Sequence, residues 1–374
     1  GLINKNELED LFTKKAIAGA FCQPKIQTEF LFTILGNKHS EELFVHLINH
    51  PDFQPQVLVQ SVARDAYRSK WVVLSQNHES INQTSFLFWI TETYCLGLLK
   101  IIFDHPKINT NLLTIRDTDG NTLLHLINTE KVTQYSYLED VRLIYLLTEI
   151  FKERREAMTH FFLTKLKGIE SLYAIKNNFG ESVLYKAVRA DNGILFHAIL
   201  ISEACDAALL ALQDNNKQTI VHLAVQSEQS LFLQEILSSP HCQSDLLEVR
   251  DMFGTNCLEL ALEKDNLDYF NIILQSPHLT QEMIIPQNSK HLNVVNKILY
   301  SSLSSVRKLD YIRSVLNCPH ASALMQATVS GFSPLYIAVH EQEAEIVQLL
   351  LESPHCTTDL LKRQEVHDSE LTPL

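Results

Sequence analysis

The chain has 374 residues, 45% hydrophobic and 20% charged, with 10 glycines and 11 prolines, which excludes disorder, collagen and a small disulfide scaffold. Lys and Arg number 31 against 44 Asp and Glu, a net charge of −13; such a field repels phosphate backbones and anionic headgroups, so nucleic-acid and membrane binding are not expected. Seven cysteines without CxxC spacing read as reduced thiols of a cytoplasmic protein, not as a disulfide framework.

In chain order, Gly1 to Glu7 lacks the basic and apolar stretches of a signal peptide. The missing initiator Met suggests a start inside a longer reading frame. Thr28-Glu-Phe-Leu-Phe-Thr-Ile begins a helical unit that Pro51 ends, and Thr84-Ser-Phe-Leu-Phe-Trp-Ile begins another that ends at Pro106. The most apolar stretch, Phe86 to Phe103, contains Glu92 and Lys100. It therefore reads as a buried helix pair and not as a membrane span.

From residue 112 onward one signal recurs. It reads Asp117-x-x-Gly120-x-Thr122, Asn177-x-x-Gly180-x-Ser182, Asp214-x-x-Lys217-x-Thr219 and Asp251-x-x-Gly254-x-Asn256, then Gly331-x-Ser333-Pro334-Leu335. The anchors 182, 219 and 256 are 37 apart, and a further 37 lands on Asn293. Steps of 40 and 39 then reach Ser333 and Thr372. A proline follows 21 residues after anchors 219, 256 and 333, at Pro240, Pro277 and Pro354, and Pro319 continues the series. Each part has a physical role. Gly permits a left-handed turn, the Thr, Ser or Asn caps a helix, and proline stops one. Between Thr122 and Ser182, apolar Leu138, Val141, Ile144, Tyr145, Ile150 and Phe151 recur at spacings of three and four. A lengthened amphipathic helix is expected there. The pattern predicts about eight helix pairs and no central sheet.

These residues resemble the ankyrin repeat, whose signature is a turn followed by T-P-L-H-x-A. Thr219-Ile-Val-His222-Leu-Ala224 and Ser333-Pro334-Leu335-Tyr-Ile-Ala338 match it best. Lys217 stands where the family has Gly, and only Ser333 and Thr372 are followed by Pro. The resemblance implies an all-α, ankyrin-type α-solenoid of stacked helix pairs with short hairpin turns. Degenerate helical repeats are expected over 1–110 and ankyrin repeats over 111–374, with an insertion at about 129–165 and an incomplete last repeat. It also implies that His125 and His222 bond backbone in neighbouring turns.

Candidate chemistry is sparse. His241-Cys242 and His355-Cys356 are soft ligands, but they sit repeats apart and cannot converge on one ion as zinc requires. His46 and His50 are spaced i, i+4 without the Glu of HExxH. Cys22 lies too near the start for a catalytic domain to surround it. Arg154-Arg155 is flanked by Glu153 and Glu156 and reads as a solvated face. No catalytic residue, metal or cofactor is expected, and the chain is not read as an enzyme.

The resemblance implies instead a protein–protein interaction module, whose partner is read by hairpin tips and by the concave face of the first helices. Carried over by position, the tips are Thr118, Asp119, Asn178, Phe179, Asn215, Asn216, Met252, Phe253, Val329 and Ser330. Asn121, Glu181, Gln218, Thr255 and Phe332 precede the anchors. A row of Phe179, Asn216, Phe253 and Phe332, with Asn178, Asn215, Gln218 and Met252, is expected to hold the partner, because aromatic anchors dominate binding energetics. The charge points to a partner protein with a basic patch, and the chain is expected to be a monomer. Divergent arrays poor in Gly are also similar in style to effectors that intracellular bacteria secrete into host cells, which implies a host protein as partner. In an alternative reading, the chain is the targeting region of a larger enzyme whose catalytic domain lies beyond residue 374, because Leu371-Thr372-Pro373-Leu374 opens a repeat.

Overall fold

The structure, a computed structural model, describes residues 27, 31, 40–49, 53–59, 62–63, 83–106, 108, 110–128, 141–165, 170–227, 229–285, 292–328 and 332–361. The first helix of each repeat begins where the sequence supplies a side chain to cap it. Ser182 Oγ accepts the Tyr185 N–H at 3.2 Å, Asn256 Oδ1 that of Glu259 at 2.9 Å, and Ser333 Oγ that of Tyr336 at 3.2 Å. Asn293, recognisable in the sequence only by its place in the 37-residue step, caps Val294–Tyr300 in the same way, at 2.8 Å from the Asn296 N. One expected anchor shifts by a residue. Thr84 lies in a short strand, and Ser85 caps Phe86–Glu92, its Oγ accepting the Phe88 N–H. Thr28 and Thr372 fall outside the described residues.

Most first helices then end in a shared turn. The N–H of Cys95, Asn192, Asn266 and Glu343 returns to the carbonyl of Ile90, Ala187, Ala261 and Ala338 at 2.9–3.1 Å. This closure needs a left-handed residue just past the helix. Tyr94, Asp191, Asp265 and Gln342 adopt it, with φ of 51–55° for the first three and 59° for Gln342. The low glycine content is thereby explained: polar or aromatic residues accept the strained turn.

Second helices follow at Leu96–Asp104, Gly193–Leu200, Ser230–Ser238, Leu267–Leu274, Ser305–Leu316 and Ala344–Glu352. Those followed by Pro106, Pro240, Pro277, Pro319 and Pro354 all stop before it. Past the proline the structure adds an element that was not expected, a short third helix. It occupies Ser244–Glu248, Gln281–Ile284, Ala321–Gln326 and Thr358–Leu361, and Ala207–Leu210 in the repeat before these. Each drives apolar side chains inward. Leu209-Leu210, Leu246-Leu247, Met283-Ile284 and Leu324-Met325 are all buried, and each such side chain contributes about 1.5–3 kcal/mol. This extra turn of helix lies within each 37-residue step.

The chain divides into two compact units, residues 1–204 and 205–374. In the first, Phe86–Glu92, Leu123–Leu126 and Val183–Arg189 stack in sequence as one layer. The 25-residue helix Val141–Lys165 packs between Leu96–Asp104 and Gly193–Leu200 as the second layer. It stands where a second helix belongs, and it is the lengthened helix that the spacing predicts. Arg155 corrects an expectation. Its guanidinium donates to the carbonyls of Ala190 and Asp191 and closes the end of Val183–Arg189, so it does not belong to a solvated face.

In the second unit, Ile220–Gln226 packs on Cys257–Glu263, and Val294–Tyr300 on Pro334–His340. Ser230–Ser238, Leu267–Leu274, Ser305–Leu316 and Ala344–Glu352 stack behind them. First helices such as Cys257–Glu263 are buried almost all round, as expected for an inner layer covered on several sides. Among the described residues, the strands are the antiparallel pair Val62–Ala63 and Gln83–Thr84. The fold is all-α.

Candidate interaction surface

Each hairpin tip is built by one acidic or amide side chain. Asp214 Oδ1 accepts the N–H groups of Asn216 and Gln218, both at 2.8 Å, and the Asp214 N–H donates to the Gln218 carbonyl at 2.9 Å. Asp117, Asn177 and Asp251 make the same bonds in their turns. The fourth residue must be left-handed, and Gly120, Gly180 and Gly254 sit at φ 77–80°. Lys217 adopts the same conformation at φ 60°, so the missing glycine leaves the turn intact at a cost in strain.

Successive tips are bonded to one another. The Asn178 N–H donates to the Asp119 carbonyl at 2.8 Å within the first unit, and that of Met252 to the Asn216 carbonyl at 2.9 Å within the second. At Gly120 the approach is so close that a Cβ would fall 2.5 Å from Asn178 Oδ1.

Exposure sorts the expected contact residues. Phe179 is 57% exposed, Phe253 80% and Met252 54%, while Asn178, Asn215 and Asn216 are also exposed. Two expectations fail. Gln218 is only 8% exposed, because closing the turn onto Asp214 carries it underneath. Asn121, Glu181 and Thr255 are buried for the same reason. Phe332 is half-buried, stacked on Tyr336 with ring centres 4.8 Å apart, so it is not a free tip ring. Val329 and Ser330 lie outside the described residues. Phe179 belongs to the first unit and Asn216, Phe253 and Phe332 to the second.

Below the tips, within each unit, lie buried polar ties. His125 Nδ1 accepts the Thr122 N–H at 3.2 Å, and its Nε2–H donates to the Glu181 carbonyl of the next hairpin at 3.1 Å. His222 joins Thr219 to the Thr255 carbonyl likewise, at 3.3 and 3.2 Å. Burial pushes the His125 imidazole down to about 4 and lowers that of His222. Both are neutral ties between repeats, as the resemblance implies. At the equivalent place, Glu259 accepts from Arg250 Nη1 and Lys297 Nζ, each at 2.8 Å.

Among the described residues, burial disfavours thiolate chemistry at three cysteines. Burial pushes the Cys205 and Cys242 thiols up to about 11 and Cys257 to about 12, away from the thiolate that nucleophilic or metal chemistry needs. No group of three or more His, Cys, Asp or Glu there could hold a metal ion, and no described helix is long and apolar enough to cross a membrane. Cys22 and His50 lie outside the described residues. Sequence reading missed Tyr300 and Tyr336 on the first helices. The 37-residue step from Gln226 through Glu263 to Tyr300 was the signal that could have found the former.

Residues 330–361 match a family model described as "Ankyrin repeat". No curated protein matches the chain. Among solved structures, it is similar to the ankyrin repeat domain of Bcl-3, a unique member of the IkappaB protein family. Identity is 16% and the TM-score 0.44, over 68% of this chain and 93% of that one.

Proposed function

We propose that this chain of ankyrin-type repeats recognises another protein through its hairpin tips. Phe179 and Asn178 present the surface of one unit, and Met252, Phe253, Asn215 and Asn216 that of the other. The observation that carries the reading is Phe253, a ring 80% exposed on a turn whose N–H groups from Asp251 to Thr255 are all bonded. Such a ring buries area in a complex while losing little entropy. The net charge of −13 favours a partner with a basic patch, whose association slows as salt rises. Described cysteines that are all free support a reducing, cytoplasmic setting. One copy suffices for this role. Delivery into a host cell and service to a catalytic domain beyond residue 374 gain no supporting observation and are not part of the proposal.

The test is direct. A partner is captured with the whole chain and identified, and its Kd is measured against Met252→Ala/Phe253→Ala and Phe179→Ala. The double variant should weaken binding at least about tenfold, the loss of one hot spot, with the thermal midpoint unmoved. Unchanged binding by both variants would place the partner elsewhere. Unfolding of the double variant would show that these side chains pack within the fold.

A further inference from the structure

In residues 205–374 the first helices end at equivalent residues: Gln226, Glu263, Tyr300 and His340. Tyr300 is 51% exposed. The helix packed beside it, Pro334–His340, presents exposed Val339 and half-buried Tyr336. Phe332 lies on Tyr336 with 20° between ring planes, both rings half-buried, and with exposed Tyr300 on the neighbouring helix they make a partly exposed aromatic platform. A carboxylate borders it. Partial burial, then the charge of Glu341 and the nearby Tyr336, hold the Tyr300 phenol above its usual value. Glu341 is itself exposed, with Oε1 3.0 Å from His340 Nδ1. Two nearby cations are already engaged, Lys297 with Glu259 at 2.8 Å and Lys308 with Glu343 at 2.9 Å. Lys264, beside Glu263, is exposed.

We infer that this platform takes an arginine side chain from an extended segment of a protein partner, stacked on Tyr300 and Tyr336 and paired with Glu341. The aromatic faces carry partial negative charge and attract a cation. A planar guanidinium can lie flat on a ring while its edge donates to a carboxylate, which an ammonium cannot do. The assignment rests on the protein-recognition reading but uses inner-helix residues, not the hairpin tips.

The probe is a fluorescein-labelled acetyl-(Gly-Arg)4-amide peptide, with lysine and citrulline counterparts, titrated against the whole chain by anisotropy at about 0.15 M salt. The arginine peptide should bind most tightly and the neutral citrulline peptide at least about tenfold more weakly. Tyr300→Ala and Glu341→Gln should each weaken the arginine peptide about fivefold or more, and Phe253→Ala should leave it unchanged. Tyr300→Leu keeps apolar area but removes the ring face, and it decides the matter if Tyr300→Ala lowers the thermal midpoint. Equal binding of arginine and lysine peptides would reveal nonspecific attraction to an acidic chain and overturn the assignment. Wild-type affinity in Tyr300→Leu would overturn it too. Loss of the peptide in Phe253→Ala would transfer the site to the tips, sinking this assignment while leaving the tip reading intact.

Discussion

Acid should loosen the first unit through a single buried imidazole. His125 is fully buried, with Nδ1 accepting from Thr122 and Nε2 donating to the Glu181 carbonyl. A proton on Nδ1 would break the bond to Thr122 and leave a charge in the core. Burial therefore lowers its value from 6.5 to about 4. Because the folded value is the lower one, stability is complete above 6.5 and is lost as pH falls towards about 4. The loss is about 3 kcal/mol once both states have titrated, and about 2 kcal/mol at about pH 5. Trp89 lies in Phe86–Glu92, in the unit that holds His125, so the change in tryptophan fluorescence in urea reports that unit. The assay compares unfolding free energies at about pH 7.5 and pH 5 for the wild type and His125→Gln. The variant loses stability at neutral pH but should be flatter across the interval by about 2 kcal/mol. Burial raises the Asp117 carboxyl, which acts in the opposite direction, and both proteins retain it. Equal pH slopes in the two proteins would refute the reasoning.

Three further outcomes follow from the second unit. Thr219→Ala should cost about 1 kcal/mol by urea unfolding, since Thr219 Oγ1 lies 2.9 Å from His222 Nδ1 at the start of Ile220–Gln226; Thr219→Ser should recover most of it. Lys217→Gly should stabilise by about 0.5–1 kcal/mol, as relief of left-handed strain outweighs the entropy of glycine, and a lower urea midpoint would contradict the turn geometry. Asn296 is fully buried with neither amide atom hydrogen-bonded. Asn296→Leu should therefore raise stability by about 1–3 kcal/mol, the desolvation penalty removed, and a destabilised variant would show that the amide is satisfied in solution.

What the sequence alone determined is what local bonds decide. Asp214, Lys217 and Thr219 define a turn and a cap through partners within four residues, so their spacing reveals them, and a 37-residue step carries the pattern to Asn293 even where the motif has vanished. The helix-stopping prolines act through their own ring geometry and are equally legible. The short third helices were legible only as buried pairs such as Leu209-Leu210 and Leu246-Leu247, again 37 apart, because two apolar residues do not show a helical period. Tertiary structure decided the surface. Gln218 and Phe253 both belong to tips, yet one folds beneath its turn and the other faces solvent. Phe332 finds Tyr336 on the helix that follows, and Arg155 reaches a helix end 35 residues away. Burial and stacking depend on which side chains neighbouring repeats bring into contact. Hydrogen bonds closed within one turn do not, and that difference separates what could be read from what had to be built.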